Sequence, residues 1–215
     1  FHKLNNNYIM KNIYSNIYSF NKKVLNKTVN SLKLGNLVSL PTETIYGLAG
    51  NAYSKKAVKK IFKLKNRPKK NPLIIHYLNK KDASQDVLFN DNFLKLYKKF
   101  CPGPITFVLK KNKISKISPG AVANLNTVAI RFPNHGVIKK ILKFTGFPLA
   151  MPSANLSSGL SPVNAYDVFE EFGKKIKTII DGGNSKIGIE STVVSLIGKP
   201  KVLRPGIISE KEIKK

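Results

Sequence analysis

The chain has no tryptophan, a single cysteine (Cys101), three histidines and only 11 acidic residues in 215. One thiol cannot close an internal disulfide, and with histidines scattered at positions 2, 76 and 135 it builds no zinc cluster. Disulfide scaffolds, zinc fingers and CxxC redox chemistry are therefore excluded, and a reducing compartment is expected. Long apolar runs are missing as well, because Lys or Asn interrupts each one before the roughly 18 residues a membrane-spanning helix needs. A soluble, cytoplasmic protein with no membrane partner is the expectation. Acids begin only at Glu43, and arginine occurs just three times, at 67, 131 and 204.

What is present is a large basic excess: 38 Lys+Arg, 35 of them lysine, and a formal net charge of +27. With abundant Asn, this reads as Lys/Asn compositional drift; such a field attracts polyanions at low salt without specifying one. The hydrophobic content of 42%, in blocks separated by Gly and Pro, requires a packed core and excludes a disordered basic tail. In so lysine-rich a chain the arginines are informative. A planar two-pronged guanidinium is irreplaceable where a carboxylate or phosphate must be held in one orientation.

Residues 1 to 19 contain no acid and no Arg, resembling neither a secretory signal nor a typical Arg-rich transit peptide, though organelle targeting stays open. They are expected to be a disordered or non-native extension, with Met10 as a candidate start and the fold spanning 20 to 210. Helical spacing predicts helices over 20 to 34, 54 to 66 with Ser54 as N-cap, 91 to 100, 135 to 144 and 164 to 175. Strands are predicted at 37 to 40, 73 to 78, 105 to 109, 127 to 132, 148 to 151, 177 to 180, 191 to 197 and 201 to 206. The alternation implies one α/β domain around a twisted mixed sheet flanked by helices.

Four polar turns follow strands or helices: PTETIYG (41 to 47), NRPKKNP (66 to 72), PSANLSSG (152 to 159) and GIEST (188 to 192). Such turns at strand ends are where open α/β sheets place their ligands. No GxxxxGK[ST] or GxGxxG accompanies them, and no GxSxG elbow. Arg131 lies in an otherwise apolar strand and needs either a buried ion pair or an anionic ligand; Arg204 resembles it, and Arg67 suits phosphate gripping. His76, on an apolar strand, fits a satisfied core residue as well as a functional one, and His135 suits a helix cap. An inventory of Ser, Thr, Asn and cations, poor in acids, favours charge stabilisation at a phosphate over acid/base hydrolysis.

Taken in order, PTETIYGL, KNRPKKNPLIIH, CPGPITFVL, TVAIRFP, PLAMPSANLSSGLSP, DGG, GIESTVV and LRPG resemble the YrdC/Sua5 family of threonylcarbamoyl-AMP synthases, from about residue 35 to 207. The resemblance implies a single YrdC-like domain with an open basic cleft, without the additional C-terminal domain of Sua5 proteins. It also implies condensation of L-threonine, bicarbonate or CO2 and ATP into threonylcarbamoyl-AMP and pyrophosphate, with Mg²⁺ accompanying ATP. The product would serve the tRNA threonylcarbamoyltransferase machinery that makes t6A37. By the same resemblance Thr44, His76, Arg131 and Ser191 hold the threonine or its carbamate. Lys65, Arg67, Asn71, Thr127, Ser153, Asn155, Ser161 and Arg204 surround the ATP, Lys65 and Arg67 stabilising charge where no acid or base is assigned. Three positions depart from the family pattern: Cys101 for Trp, Met151 for a small residue and Val163 for Thr. The rival reading is a double-stranded RNA or tRNA-binding module without catalysis. Carbamoyl transfer of the hydrogenase-maturation kind would need zinc-finger and acylphosphatase regions that the sequence does not contain.

Overall fold

The computed structural model describes residues 13–214. Eleven strands form one mixed sheet in the order β1-β9-β2-β3-β8-β4-β7-β6-β10-β11, with β5 paired to β6 off this path. The strands are β1 (Ile17–Ser19), β2 (Val38–Leu40), β3 (Gly47–Asn51), β4 (Ile74–His76), β5 (Val87–Leu88), β6 (Ile105–Lys111), β7 (Thr127–Arg131), β8 (Leu149–Ala150), β9 (Ile179–Asp181), β10 (Thr192–Ser195) and β11 (Lys201–Arg204). The expected mixed α/β architecture is present.

Side chains on successive strand residues point to opposite faces, and here they enter different cores. Leu48, Ala150 and Ile179 join one apolar cluster, while their neighbours Ala49, Leu149 and Ile180 join another. The first cluster is closed by the helices Lys55–Leu64, Asp91–Phe100 and Ala165–Phe172, which contribute Val58 and Ile61, Phe93 and Leu96, and Val168 and Phe172. The second is closed by the helices Lys22–Lys33 and Gly136–Thr145 through Val24, Leu25, Val29, Leu32, Ile138 and Ile141. Their starts are local: Asn21, Ser54 and His135 accept hydrogen bonds from Val24, Ala57 and Val137 N–H groups respectively.

That second pair of helices packs on β2, β3, β8 and β9, and no residue of β6, β7 or β10 belongs to its core. On those strands Phe107, Ile130 and Val194 face the first cluster, as does Ile75 of β4. Thr106, Arg131 and His76 therefore face the opposite side, where none of the described helices joins a core with these strands. This uncovered half-face is the floor of the cleft.

The fold begins earlier than the boundary expected at residue 20. Ile17, Tyr18 and Ser19 pair in parallel with Ile179, Ile180 and Asp181, and the buried Asn16 amide donates to Gly173 O (3.0 Å) and Ile176 O (2.7 Å). A three-residue edge strand carries no periodicity of its own; its partner lies some 160 positions away. The rest of the expected extension, residues 1–12, lies outside the described residues. At the other end the helix Glu210–Lys214 buries Ile213, beyond the expected limit at 210. Among the described residues no helix is long and apolar enough to cross a membrane.

Candidate active site

The register carries one polar row across the sheet. His76 of β4 pairs with Arg131 of β7, Arg131 with Thr106 of β6, Thr106 with Val193 of β10, and Val193 with Arg204 of β11. Above it opens a cleft lined by Thr42, Ile45, Tyr46, Gly47, Arg67, Ile74, His76, Arg131, Met151, Pro152, Ser153, Glu190, Ser191 and Arg204. All three arginines of the chain line it.

Each arginine is held differently. Arg131 is buried and donates from Nη2 to Glu43 Oε1 at 2.8 Å. Arg204 pairs with Glu190 and donates to Ser191 O (2.9 Å) and Ser191 Oγ (3.2 Å), while Ser191 Oγ and Thr106 Oγ1 share a bond at 2.8 Å. Among the described residues Arg67 meets no carboxylate: Nε donates to Asn71 O (3.1 Å) and Nη2 to Pro72 O (3.0 Å). Burial lowers the pKa of Arg204 to about 10, helped by repulsion from Arg131 and Arg67, and burial also lowers that of Arg67. Crowded, partly desolvated cations of this kind are stabilised by an anion. Burial first, then Arg131, hold His76 well below the ordinary histidine range, so its imidazole is neutral at pH 7. Glu43 Oε2, His76 Nδ1 and Arg131 Nε are all buried without a hydrogen-bond partner.

Of the residues expected at the site, His76, Arg67, Arg131, Ser153, Ser191 and Arg204 are brought together along the cleft. Thr44 is fully buried and shares a 2.9 Å bond with Thr42, the threonine that does line the cleft. Lys65 is 1% exposed and does not line it; Nζ donates to Ser153 O (2.7 Å), Asn155 O and Asn155 Oδ1 (3.3 Å). Asn155 in turn donates to Gly159 O at 2.6 Å, so Lys65 and Asn155 together fix the loop carrying Ser153. Burial pushes the Lys65 pKa down to about 8, with Arg67 adding to the shift. Ser161 donates to Glu190 Oε1 at 3.2 Å on the rim. The Asn71 side chain is not among the cleft linings; its carbonyl holds Arg67. Thr127 pairs with Lys110 at the opposite end of β7, about 13 Å along the strand from Arg131.

Two carboxylates, Glu43 and Glu190, were not singled out from sequence. Their signal was scarcity, since both acids fall inside the turn blocks of a chain with only 11 acids. Both already neutralise an arginine, and among the described residues no group of three His, Cys, Asp or Glu side chains is placed to hold a metal. The donor set does not suit a resident divalent cation, which wants several oxygen ligands.

Comparison with known proteins identifies the family. The model of the Sua5/YciO/YrdC family, described as "Telomere recombination", matches residues 30–206. The chain is 44% identical over 189 residues to a threonylcarbamoyl-AMP synthase of Pyrococcus abyssi, covering 86% of this chain and 54% of that protein. It is 42% identical over 187 residues to a protein of the same name from Bacillus subtilis, covering 85% and 53%. The crystal structure of P. abyssi Sua5 complexed with L-threonine superposes with a TM-score of 0.87 at 39% identity, covering 92% of this chain and 59% of that one. The chain thus spans about half the length of the curated relatives it matches.

Proposed function

Because the chain belongs to the Sua5/YciO/YrdC family, we propose that its cleft binds ATP and L-threonine and makes threonylcarbamoyl-AMP. The single observation that carries this reading is the convergence of all three arginines on one cleft beside a neutral histidine, with Arg67 held by the Asn71 and Pro72 carbonyls. The names of the relatives and the threonine complex of P. abyssi Sua5 support the choice of substrates.

Arg131, anchored by Glu43, takes the threonine carboxylate, with Ser191, Thr42 and its bonded neighbour Thr44 alongside and His76 as a neutral partner. Arg67, Ser153 and Arg204 face the phosphates, while Lys65 and Asn155 hold the Ser153 loop. Of the remaining ATP assignments, Asn71 acts through Arg67 and Ser161 through the Glu190 rim, while Thr127, at the far end of β7, is not brought to the cleft. Magnesium enters as part of the MgATP substrate. The threonine amine loses a proton and adds CO2, giving a carbamate; a carbamate oxygen then attacks the α-phosphorus and the Pα–O bond to pyrophosphate breaks. A carbamate is already an anion, so the step needs orientation and offset of phosphate charge rather than a strong base. The product is a mixed anhydride whose consumer is the tRNA threonylcarbamoyltransferase machinery.

The test is pyrophosphate release from MgATP and bicarbonate, with and without L-threonine. Threonine-dependent release, lost with Arg131→Met, is expected. Absence of release with salt-sensitive tRNA binding retained would overturn the reading in favour of an RNA-binding module.

A further inference from the structure

One end of the cleft carries Arg131, Ser191 and Arg204 of the β7 to β11 side; the other, on the β3, β8 and β4 side, sets an apolar patch of Ile45, Gly47, Ile74 and Met151 beside the polar Thr42, His76 and Ser153. Met151 is 3% exposed, and its N–H donates to Ile74 O at 2.9 Å. Its side chain lies across Gly47: a Cβ at residue 47 would sit 2.5 Å from Met151 Cγ and 2.8 Å from Sδ. Two residues on, Ser153 bridges back to Gly47, so the thioether is seated beside the loop that carries Ser153.

We propose that Met151 is the specificity-determining residue of the amino-acid end of this cleft, its side chain setting how long a substrate side chain is accepted. The inference rests on the reading that the cleft takes L-threonine. Threonine's carboxylate is drawn to the cationic end, which leaves its methyl group as the part suited to the apolar end. There the flexible Met151 side chain closes the space that Gly47 leaves open. A thioether adapts to a contact of this kind yet still excludes extra length. Discrimination of one methylene in an apolar pocket is typically 10- to 200-fold.

The experiment compares kcat/KM for amino-acid-dependent pyrophosphate release with L-threonine and with 3-hydroxynorvaline, one methylene longer, in the full chain and in Met151→Ala and Met151→Leu. The Ala variant is expected to shift the ratio toward the longer substrate by about tenfold or more. The Leu variant, close to Met in volume, is expected to keep the wild-type ratio. Met151→Val, which also shortens the wall, replaces the Ala variant if the latter does not fold. An unchanged ratio in a folded, threonine-active shortened variant would overturn the role of Met151. Absence of threonine-dependent release in the unaltered chain would instead sink the functional reading, and this inference with it.

Discussion

Glu43 and Arg131, 88 positions apart, meet through a 2.8 Å bond in which both side chains are almost fully buried. A buried pair of this kind is costly to break from one side only, because the surviving charge has no solvent to return to. It also fixes one edge of the guanidinium and so aims the rest. Glu43→Ala is expected to lose about 3–5 kcal/mol of stability. Replacing both partners by Met is expected to recover most of that stability while threonine-dependent activity stays abolished. Urea denaturation of the two single variants and the double variant, alongside pyrophosphate release, separates the two effects.

Arg67 offers a different test because its fork is already positioned by the Asn71 and Pro72 carbonyls. Lysine at 67 keeps the charge but loses the planar geometry. Arg67→Lys should reduce kcat/KM for ATP at least about tenfold, the scale of a lost charge-assisted hydrogen bond, with little change in the unfolding midpoint. Wild-type turnover in that variant would refute phosphate positioning by Arg67.

The depressed pKa of Lys65, about 8, gives a pH signature. An unfolded lysine titrates near 10.4, so between these values the unfolded chain binds more proton and this residue's contribution to stability rises with pH. Activity should run the other way, since the neutral amine grips the Ser153 and Asn155 carbonyls less strongly. An alkaline limb near pH 8 is expected in kcat/KM for ATP. It should lie higher in kcat, because bound phosphate raises the pKa. In Lys65→Arg, which stays charged, the limb should disappear from whatever activity remains.

Gly47 tests the packing at the apolar end. A Cβ there collides with Met151, so Gly47→Ala is expected to cost about 1–3 kcal/mol by overpacking. Most of that cost should vanish in a Met151→Ala background. A double-mutant cycle measured by thermal unfolding reads the coupling directly.

Much of this was legible before any coordinates. Ser54, the apolar face of Ala57, Val58 and Ile61, and the strand expected at 73 to 78, of which Ile74–His76 pair as β4, follow from local periodicity and capping, which the neighbouring sequence sets. The suspicion attached to three arginines also needed no structure, because rarity in a lysine-rich chain is itself a signal. What stayed hidden depends on distant partners. β1 exists because residues 179 to 181 offer it an edge, and β3 opens on Gly47, which the sequence places in a turn block. Thr44 and Lys65 look equivalent in sequence to their cleft-lining neighbours Thr42 and Arg67. Only burial and hydrogen bonding separate a group that faces the cleft from one that braces it.

The polar row that floors the cleft is drawn from His76, Thr106, Arg131 and Arg204, and its last member stands on β11, the outermost strand of the described sheet. The third arm of the anion grip is in place only where β11 is docked on β10. The site is thus not a local motif: it depends on pairings of large sequence separation across the sheet. An edge strand is also where a sheet opens first. Partial fraying there would silence the protein while nearly all of its secondary structure survived, making ligand binding a more sensitive gauge of the intact fold than helicity.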